Sequence, residues 1–399
     1  MPAFHPFRGL RYRSLTDVSA VAAPPYDVIH DDERDVLEAR DPHNAVRLIL
    51  PRDDGGDRYA NAAALLDAWR ADGTLAPDPD AAFYGYRMAY TDAHGRDRVT
   101  HGVIGALTLP EGGPGTGDIL PHERTIPKHR SDRLNLLAST RTNLDPIWGL
   151  TPAPVTRLVG EPDPGAQEAV DPAGVHHTVW AITEHDRVSA IADAVAAAPL
   201  VLADGHHRFE TACAYRADRT DDTGAAAIMT LVVELAEDEL WVAPIHRLVA
   251  GAPDLRRRLA HAFTVEPVDV GVDALEDAMA DAGALGFVDR DGAALLHARP
   301  EAVAGPLETE PPEARGTDAA LFEAVVLPLL VDATLEFRHD AVALAAAVHR
   351  GDADAVILLR PVEVADIRAA SYAGVRMPQK TTFFAPKPRT GLVFRSLDD

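Results

Sequence analysis

Apolar positions along this chain fall into short runs punctuated by turns, and their spacing predicts alternating strands and helices from end to end. Ala22 to Ile29 is an extended segment stiffened by Pro24 and Pro25, and a charged helix follows from about Asp31. Ala45 to Leu50 reads as a short apolar strand stopped by Pro51, and Arg58 to Asp72 has helical spacing up to Gly73. Phe83 to Tyr90 and Val99 to Leu109 are rich in aromatic and β-branched residues and flank the polar Asp92-Ala93-His94-Gly95, which predicts a hairpin. The Gly/Pro run from Pro110 to Gly117 predicts a loop, either a lid or a plain surface connection. A polar stretch from His122 to Arg133 then leads into the helical Leu134 to Leu137, and the Pro/Gly-rich segment from Pro152 to Pro172 reads as a linker.

In the second half, Thr178 to Ile182 has strand character and about Val188 to Ala198 helical character. Leu200 to Ala203 has the length and composition of a buried strand, Asp204 to His207 forms a turn, and Arg208 to Ala217 has helical spacing. Ile228 to Leu235 and Leu240 to Pro244 read as paired strands. Helices are expected near 252–262, 317–330 and 340–349, with late strands at Val356 to Leu359 and Thr381 to Ala385 on either side of a helical Val362 to Ala373. No fixed-period repeat appears, which excludes solenoids and propellers and leaves an α/β or mixed α+β fold. The 399 residues are read as one unit throughout, with a subdivision at 1–150, 173–249 and 250–399 as the alternative.

Composition narrows the functional classes. A net charge of -24 disfavours nucleic acid and anionic membrane surfaces as partners, because both need a basic face to displace counterions. An anionic ligand must therefore meet a local positive pocket. A single cysteine, Cys213, excludes an intramolecular disulfide and a cysteine-rich metal site. No apolar signal core and no run of roughly 20 apolar residues is seen, so the expectation is a cytoplasmic chain with no membrane partner. The oligomeric state is left open.

Chemistry concentrates at the strand-to-helix junction Asp204-Gly205-His206-His207-Arg208. A helix N-terminus offers backbone N–H groups and a positive dipole end, and Gly205 permits close approach, so phosphate is the natural guest. Arg208 adds a fork of donors, while His206 and His207 contact phosphate oxygens or exchange protons near neutral pH. Asp204 accepts a hydroxyl proton or holds Mg2+, or else merely caps the helix. Lys128 and Arg133 supply positive field that the acidic chain otherwise lacks. Lys380 and Lys387 either reach a ligand or serve solubility beside an edge strand. His122-Glu123 fails the zinc-peptidase spacing because Ile126 stands where the second histidine is needed, and no Walker-type loop, Rossmann fingerprint or nucleophile elbow is present.

Asp-Gly-His-His-Arg after a hydrophobic strand resembles the phosphate-binding turn of the ParB/sulfiredoxin superfamily, which includes free-serine kinases with an Asp-Gly-His-x-Arg turn. The chain as a whole resembles the bacterial and archaeal family DUF1015. The matching pieces are Ala23 to Ile29, His43-Asn44, His122 to Thr125 with Lys128 and Asp132-Arg133-Leu134, Thr142 to Ile147, Ala203 to Thr211, and Met377 to Phe384. Sulfiredoxin-like turns carry a nucleophilic cysteine where this chain has His206, and ParB-like turns read Gly-Glu-Arg-Arg, so the kinase-type turn is the nearest of the three.

The resemblance implies a ParB/sulfiredoxin-like phosphate-binding core elaborated by further strands and helices. It implies a nucleotide-dependent phosphotransferase acting on a small hydroxyl metabolite, with free L-serine as acceptor, ATP or ADP as donor and Mg2+ as cofactor. Asp204 and Glu123 are the catalytic carboxylates in that reading, with phosphate held by Gly205, His206, His207, Arg208, Lys128 and Arg133. The rival reading is a nucleotide- or phosphometabolite-binding regulatory protein, or a slow nucleotide hydrolase, without transfer activity. Glu123 can equally be a loop carboxylate paired with Arg124 or Lys128.

Overall fold

The computed structural model describes residues 1–13, 15–53, 55–92, 95–123 and 130–398. They form two compact units: the described residues of 1–121, 125–241 and 386–399 make the first, and those of 122–124 and 242–385 the second. The fold is mixed α/β.

Among the described residues, nine strands of the first unit form one sheet. Eight run in the order Ile119–Pro121, Leu200–Asp204, Ile147–Thr151, Ala227–Glu234, Asp97–Thr108, Phe83–Thr91, His176–Ile182 and Gln167–Val170, and Phe4–His5 adds to Asp97–Thr108. The expected hairpin is present, pairing Tyr84 with Ile104 and Thr91 with Asp97. Helices His185–Ala196 and His206–Ala217 bury Ile191, Val195, Phe209 and Ala212 against Val103, Leu202 and Val232 of the sheet. That apolar burial, worth roughly 1.5–3 kcal/mol per large side chain, holds the strand-turn-helix in place. A four-stranded sheet of the same unit joins Leu75–Pro77, Gly9–Tyr12, Phe394–Ser396 and Thr142–Asn143.

The second unit carries a six-stranded antiparallel sheet in the order Phe263–Pro267, Gly292–Ala298, Leu285–Asp289, Ala355–Leu358, His246–Ala250 and Thr334–Arg338. One apolar cluster packs Leu255, Leu259, Phe322 and Val326 with Phe287 and Ile357, and another packs Leu275, Met279, Leu344 and Val348 with Val288 and Val356. Since side chains alternate along a strand, these two clusters lie on opposite faces of the sheet.

Three local expectations are corrected. Ala45 to Leu50 is not a strand: Val46–Ile49 is a helical turn whose first N–H is met by Asn44 Oδ1 at 3.0 Å, while Asn44 Nδ2 donates to the Ala20 and Ala22 carbonyls. Val46, Leu48 and Ile49 are all buried, so this short apolar run shows no periodicity that separates helix from strand. The segment from Pro152 to Pro172 is no linker, since it holds the helix Thr156–Val159 and the strand Gln167–Val170, with Val155, Val159 and Ala169 buried. Ala227–Glu234 pairs with Asp97–Thr108 and Ile147–Thr151 rather than with the strand that follows it.

Candidate functional site

Leu200, Val201 and Leu202 are fully buried and carry the chain outward between two neighbouring strands, parallel to Ile119–Pro121 and antiparallel to Ile147–Thr151. The register against Ile147–Thr151 shifts between Leu202 and Asp204, an irregularity of the kind that re-aims a side chain at a strand end. Gly205 alone links strand to helix, in the left-handed conformation with φ of 83°. A Cβ there would stand 2.8 Å from Ile147 Cγ2, so both torsion and space call for glycine. The helix begins at His206, earlier than the spacing suggested, and His206 and His207 form its half-buried first turn. Its N-cap residue, Gly205, has no side chain with which to cap it.

Charge is gathered around this turn from distant parts of the first unit. The Lys387 ammonium contacts Asp204 Oδ1, and Arg208 Nη2 donates to Asp204 Oδ2 at 3.1 Å. Arg208 Nη1 donates to Asp145 Oδ2 and, at 2.7 Å, to the Pro146 carbonyl. The Tyr26 ring lies beneath the guanidinium groups of Arg133 at 4.2 Å and Arg208 at 6.0 Å, a cation–π arrangement that spaces two like charges. Arg133 is held in turn by the Ile49 carbonyl at 2.8 Å and by Asp132 at 2.8 Å.

These contacts set the protonation states. Burial pushes the Asp204 carboxyl up, but the Lys387 and Arg208 cations outweigh it and hold the pKa at about 2. Asp145 goes the other way: burial raises its pKa, and the pull of Arg208 and Arg133 does not cancel that rise. Burial pushes the Tyr26 hydroxyl up to about 12, so it stays protonated. The Arg208 guanidinium loses hydration on burial but gains more from Asp145 and Asp204, and its pKa is raised.

Of the residues singled out in the sequence, Asp204, Gly205, His206, His207, Arg208 and Arg133 lie in this first unit, and Arg208 and Arg133 meet across Tyr26. Lys128 lies outside the described residues. Glu123 belongs to the second unit, where it accepts the Lys380 backbone N–H and stands 3.4 Å from Thr382 Oγ1. His122 Nε2 is 2.7 Å from the same hydroxyl. Asp145, Tyr26 and Lys387 were not assigned to the turn by sequence reasoning. Tyr26 and Asp145 stood out only as members of two motif-like segments, and Lys387 only as one of the three lysines in the whole chain.

Beneath the charged cluster is a cavity of about 50 Å³ lined by Arg133, Asp145, Arg208, Thr211, Leu136 and Ile228. It admits a few water-sized guests and is too small for a nucleotide, so a ligand of that size has to lie outside it.

The sequence matches the family model described as "Protein of unknown function (DUF1015)" over residues 4–320. The chain belongs to this family. Lys387 lies beyond the matched residues. No curated protein matches the chain. Among solved structures, a conserved hypothetical protein from Pyrococcus furiosus is 12% identical with a TM-score of 0.39, covering 71% of this chain and 93% of its own. A free serine kinase in complex with AMP is 11% identical with a TM-score of 0.37, covering 67% and 84% respectively. SbnI from Staphylococcus aureus, with a C-terminal truncation, is 13% identical with a TM-score of 0.39, covering 72% and 85%.

Proposed function

We propose that the Gly205 turn and Lys387 bind the phosphates of a nucleotide, ATP or ADP, and that the chain transfers a phosphoryl group to a small hydroxyl metabolite. The observation that carries this reading is the Lys387–Asp204–Arg208–Asp145 chain of ion pairs at the start of a twelve-residue helix. It combines a helix dipole, backbone donors and a lysine cation at one place. Free L-serine, the substrate that names one of the solved neighbours, is the first acceptor to test.

Arg208 is committed to two carboxylates and a carbonyl, so its part is to fix Asp204 and Asp145 rather than to clamp phosphate. Lys387 has the flexible stem and single charge suited to exchange its carboxylate for a phosphate. That exchange changes Asp204. Drawing Lys387 away removes the largest influence that lowers its pKa and leaves burial to raise it, so Asp204 becomes a better proton acceptor when the nucleotide is bound. In the transfer step the acceptor oxygen forms a bond to phosphorus, the bond to the departing nucleotide oxygen breaks, and the acceptor's hydroxyl proton passes to Asp204. Glu123 is engaged with Lys380 and Thr382 of its own unit, and we therefore give the proton to Asp204.

No group of three or more His, Cys, Asp or Glu side chains is arranged to hold a metal ion among the described residues. Mg2+ commonly binds through one or two carboxylates plus substrate phosphates; Asp204 would supply one such carboxylate only as the alternative to taking the proton. The ion would offset phosphate charge.

Phosphorus NMR of the protein with Mg2+ and ATP, ADP or pyrophosphate, with and without L-serine, tests the reading. Lys387→Gln is the control, because Arg208→Ala would strand a buried carboxylate. A serine-dependent phosphomonoester, lost in the control, is expected. Nucleotide binding with no acceptor-dependent product would favour a regulatory role, and no binding at all would remove the phosphate site.

A further inference from the structure

Lys387 is delivered to Asp204 by a segment that has two anchors close by. Thr390 forms an antiparallel bridge with Ala23, the Thr390 N–H donating to the Ala23 carbonyl at 2.9 Å and the Ala23 N–H returning a bond at 3.0 Å. One residue nearer the lysine, the Arg389 N–H donates to the Tyr86 hydroxyl at 2.9 Å. That hydroxyl is also 2.9 Å from His177 Nδ1, whose other ring nitrogen is 3.5 Å from Asp171. Asp171 faces the Arg389 guanidinium at 3.9 Å, closing the loop of contacts. Tyr86 and His177 are fully buried.

Between anchor and lysine stands Pro388. Its ring locks its own φ and restricts the residue before it to extended conformations, so Lys387 has little freedom once Arg389 is fixed. The other arm of the bridge runs from Ala23 through Pro24 and Pro25 to Tyr26, the ring beneath Arg133 and Arg208. Two proline-stiffened arms thus leave one bridge and carry Lys387 and Tyr26 to the charged turn.

We infer that Tyr86, oriented by His177 and Asp171, is the positioning residue that sets where Lys387 stands, and so governs the exchange of Lys387 between Asp204 and a phosphate. The inference rests on the proposed function only for its second half. Tyr86 makes two polar contacts through one hydroxyl, and removing that oxygen leaves the Arg389 N–H without its acceptor in a buried place. The segment then relaxes at the point where the proline transmits the change to Lys387.

The test is a double-mutant cycle of Tyr86→Phe and Lys387→Gln with two readouts. The first is ATP affinity in the presence of Mg2+ by calorimetry. Tyr86→Phe is expected to weaken binding about five- to tenfold when Lys387 is present and by less than about twofold in the Lys387→Gln background, a coupling of about 1 kcal/mol. A purely structural role gives the same loss in both backgrounds and overturns the inference. The second readout is the Asp204 carboxyl titration followed by 13C NMR. It should lie below the ordinary carboxylate range in the parent, rise in Lys387→Gln, and rise part of the way in Tyr86→Phe. If the protein binds no ATP, the proposed function falls while this titration still decides the positioning role, and an Asp204 titration unmoved by Tyr86→Phe ends it. Should Tyr86→Phe not fold, Asp171→Asn, two contacts further along, replaces it in the same cycle with the same dependence on Lys387.

Discussion

Lys387 and Asp204 stand 183 positions apart in the chain, yet the ammonium of one rests on the carboxylate of the other. Both side chains are largely buried, at 12% and 18% exposed, so the pair is shielded from the screening that weakens surface ion pairs. It places a cation at the start of a helix, where a cation alone would be repelled by the dipole and where an anion is welcome. The pair therefore holds a cation where the helix alone would not.

Removing that cation should show in binding. Lys387→Gln is expected to weaken nucleotide binding by roughly ten- to a hundredfold, the range of a charge-assisted hydrogen bond of about 1.5–3 kcal/mol. Calorimetric titration with ATP measures it, and an affinity unchanged within twofold would place the phosphates elsewhere.

Gly205 tests the backbone of the turn. With φ of 83° and only 2.8 Å to Ile147 Cγ2, Gly205→Ala combines a left-handed residue, about 1–2 kcal/mol, with overpacking of about 1–3 kcal/mol. The thermal midpoint should drop by several degrees. A variant as stable as the parent would contradict the conformation described for this residue.

Asp145 tests the ion-pair chain. Asp145→Ala leaves the Arg208 guanidinium buried with one carboxylate fewer, and breaking such a buried pair costs about 3–5 kcal/mol. Urea unfolding reads this directly, and a loss below about 1 kcal/mol would mean that water replaces the carboxylate freely.

The same groups give stability a pH dependence. Asp204 has a folded pKa of about 2 against an ordinary 3.8, so its contribution is fully present above 3.8 and is lost as pH falls through about 2. Asp145 has the opposite sign: its raised pKa opposes folding while it is ionised and ceases to do so as it takes a proton. Unfolding free energy of the parent should accordingly fall more steeply between pH 4 and 2 than that of Asp204→Asn. Parallel curves would show that the Asp204 pair adds nothing to stability.

The strand-turn-helix around Asp204 was legible in the sequence because its signals are local: an apolar run, a glycine and a helical period. The hairpin from Phe83 to Thr108 was legible for the same reason. Ala45 to Leu50 misled because so short a run, with Val46, Leu48 and Ile49 all buried, carries no period, and the Asn44 contacts that fix the helix reach back to Ala20 and Ala22. Lys387 was visible as a rare lysine but not as part of the turn. Its position depends on Ala23 and Tyr86, more than 300 residues away, and no local pattern encodes a contact of that span. Asp145 was seen within a motif-like segment, whereas its pairing with Arg208 is a matter of topology.

The first unit is interrupted by the second, and its last strand and Lys387 come after residue 385. On a ribosome adding about 5–20 residues per second, the Gly205 turn emerges many seconds before the lysine that faces it. Until then Asp204 has Arg208 but not Lys387, and the buried Asn143 and the Gly224 and Ala227 carbonyls lack Arg395. The order of synthesis thus leaves the charged turn without its lysine until the interrupting unit has been made.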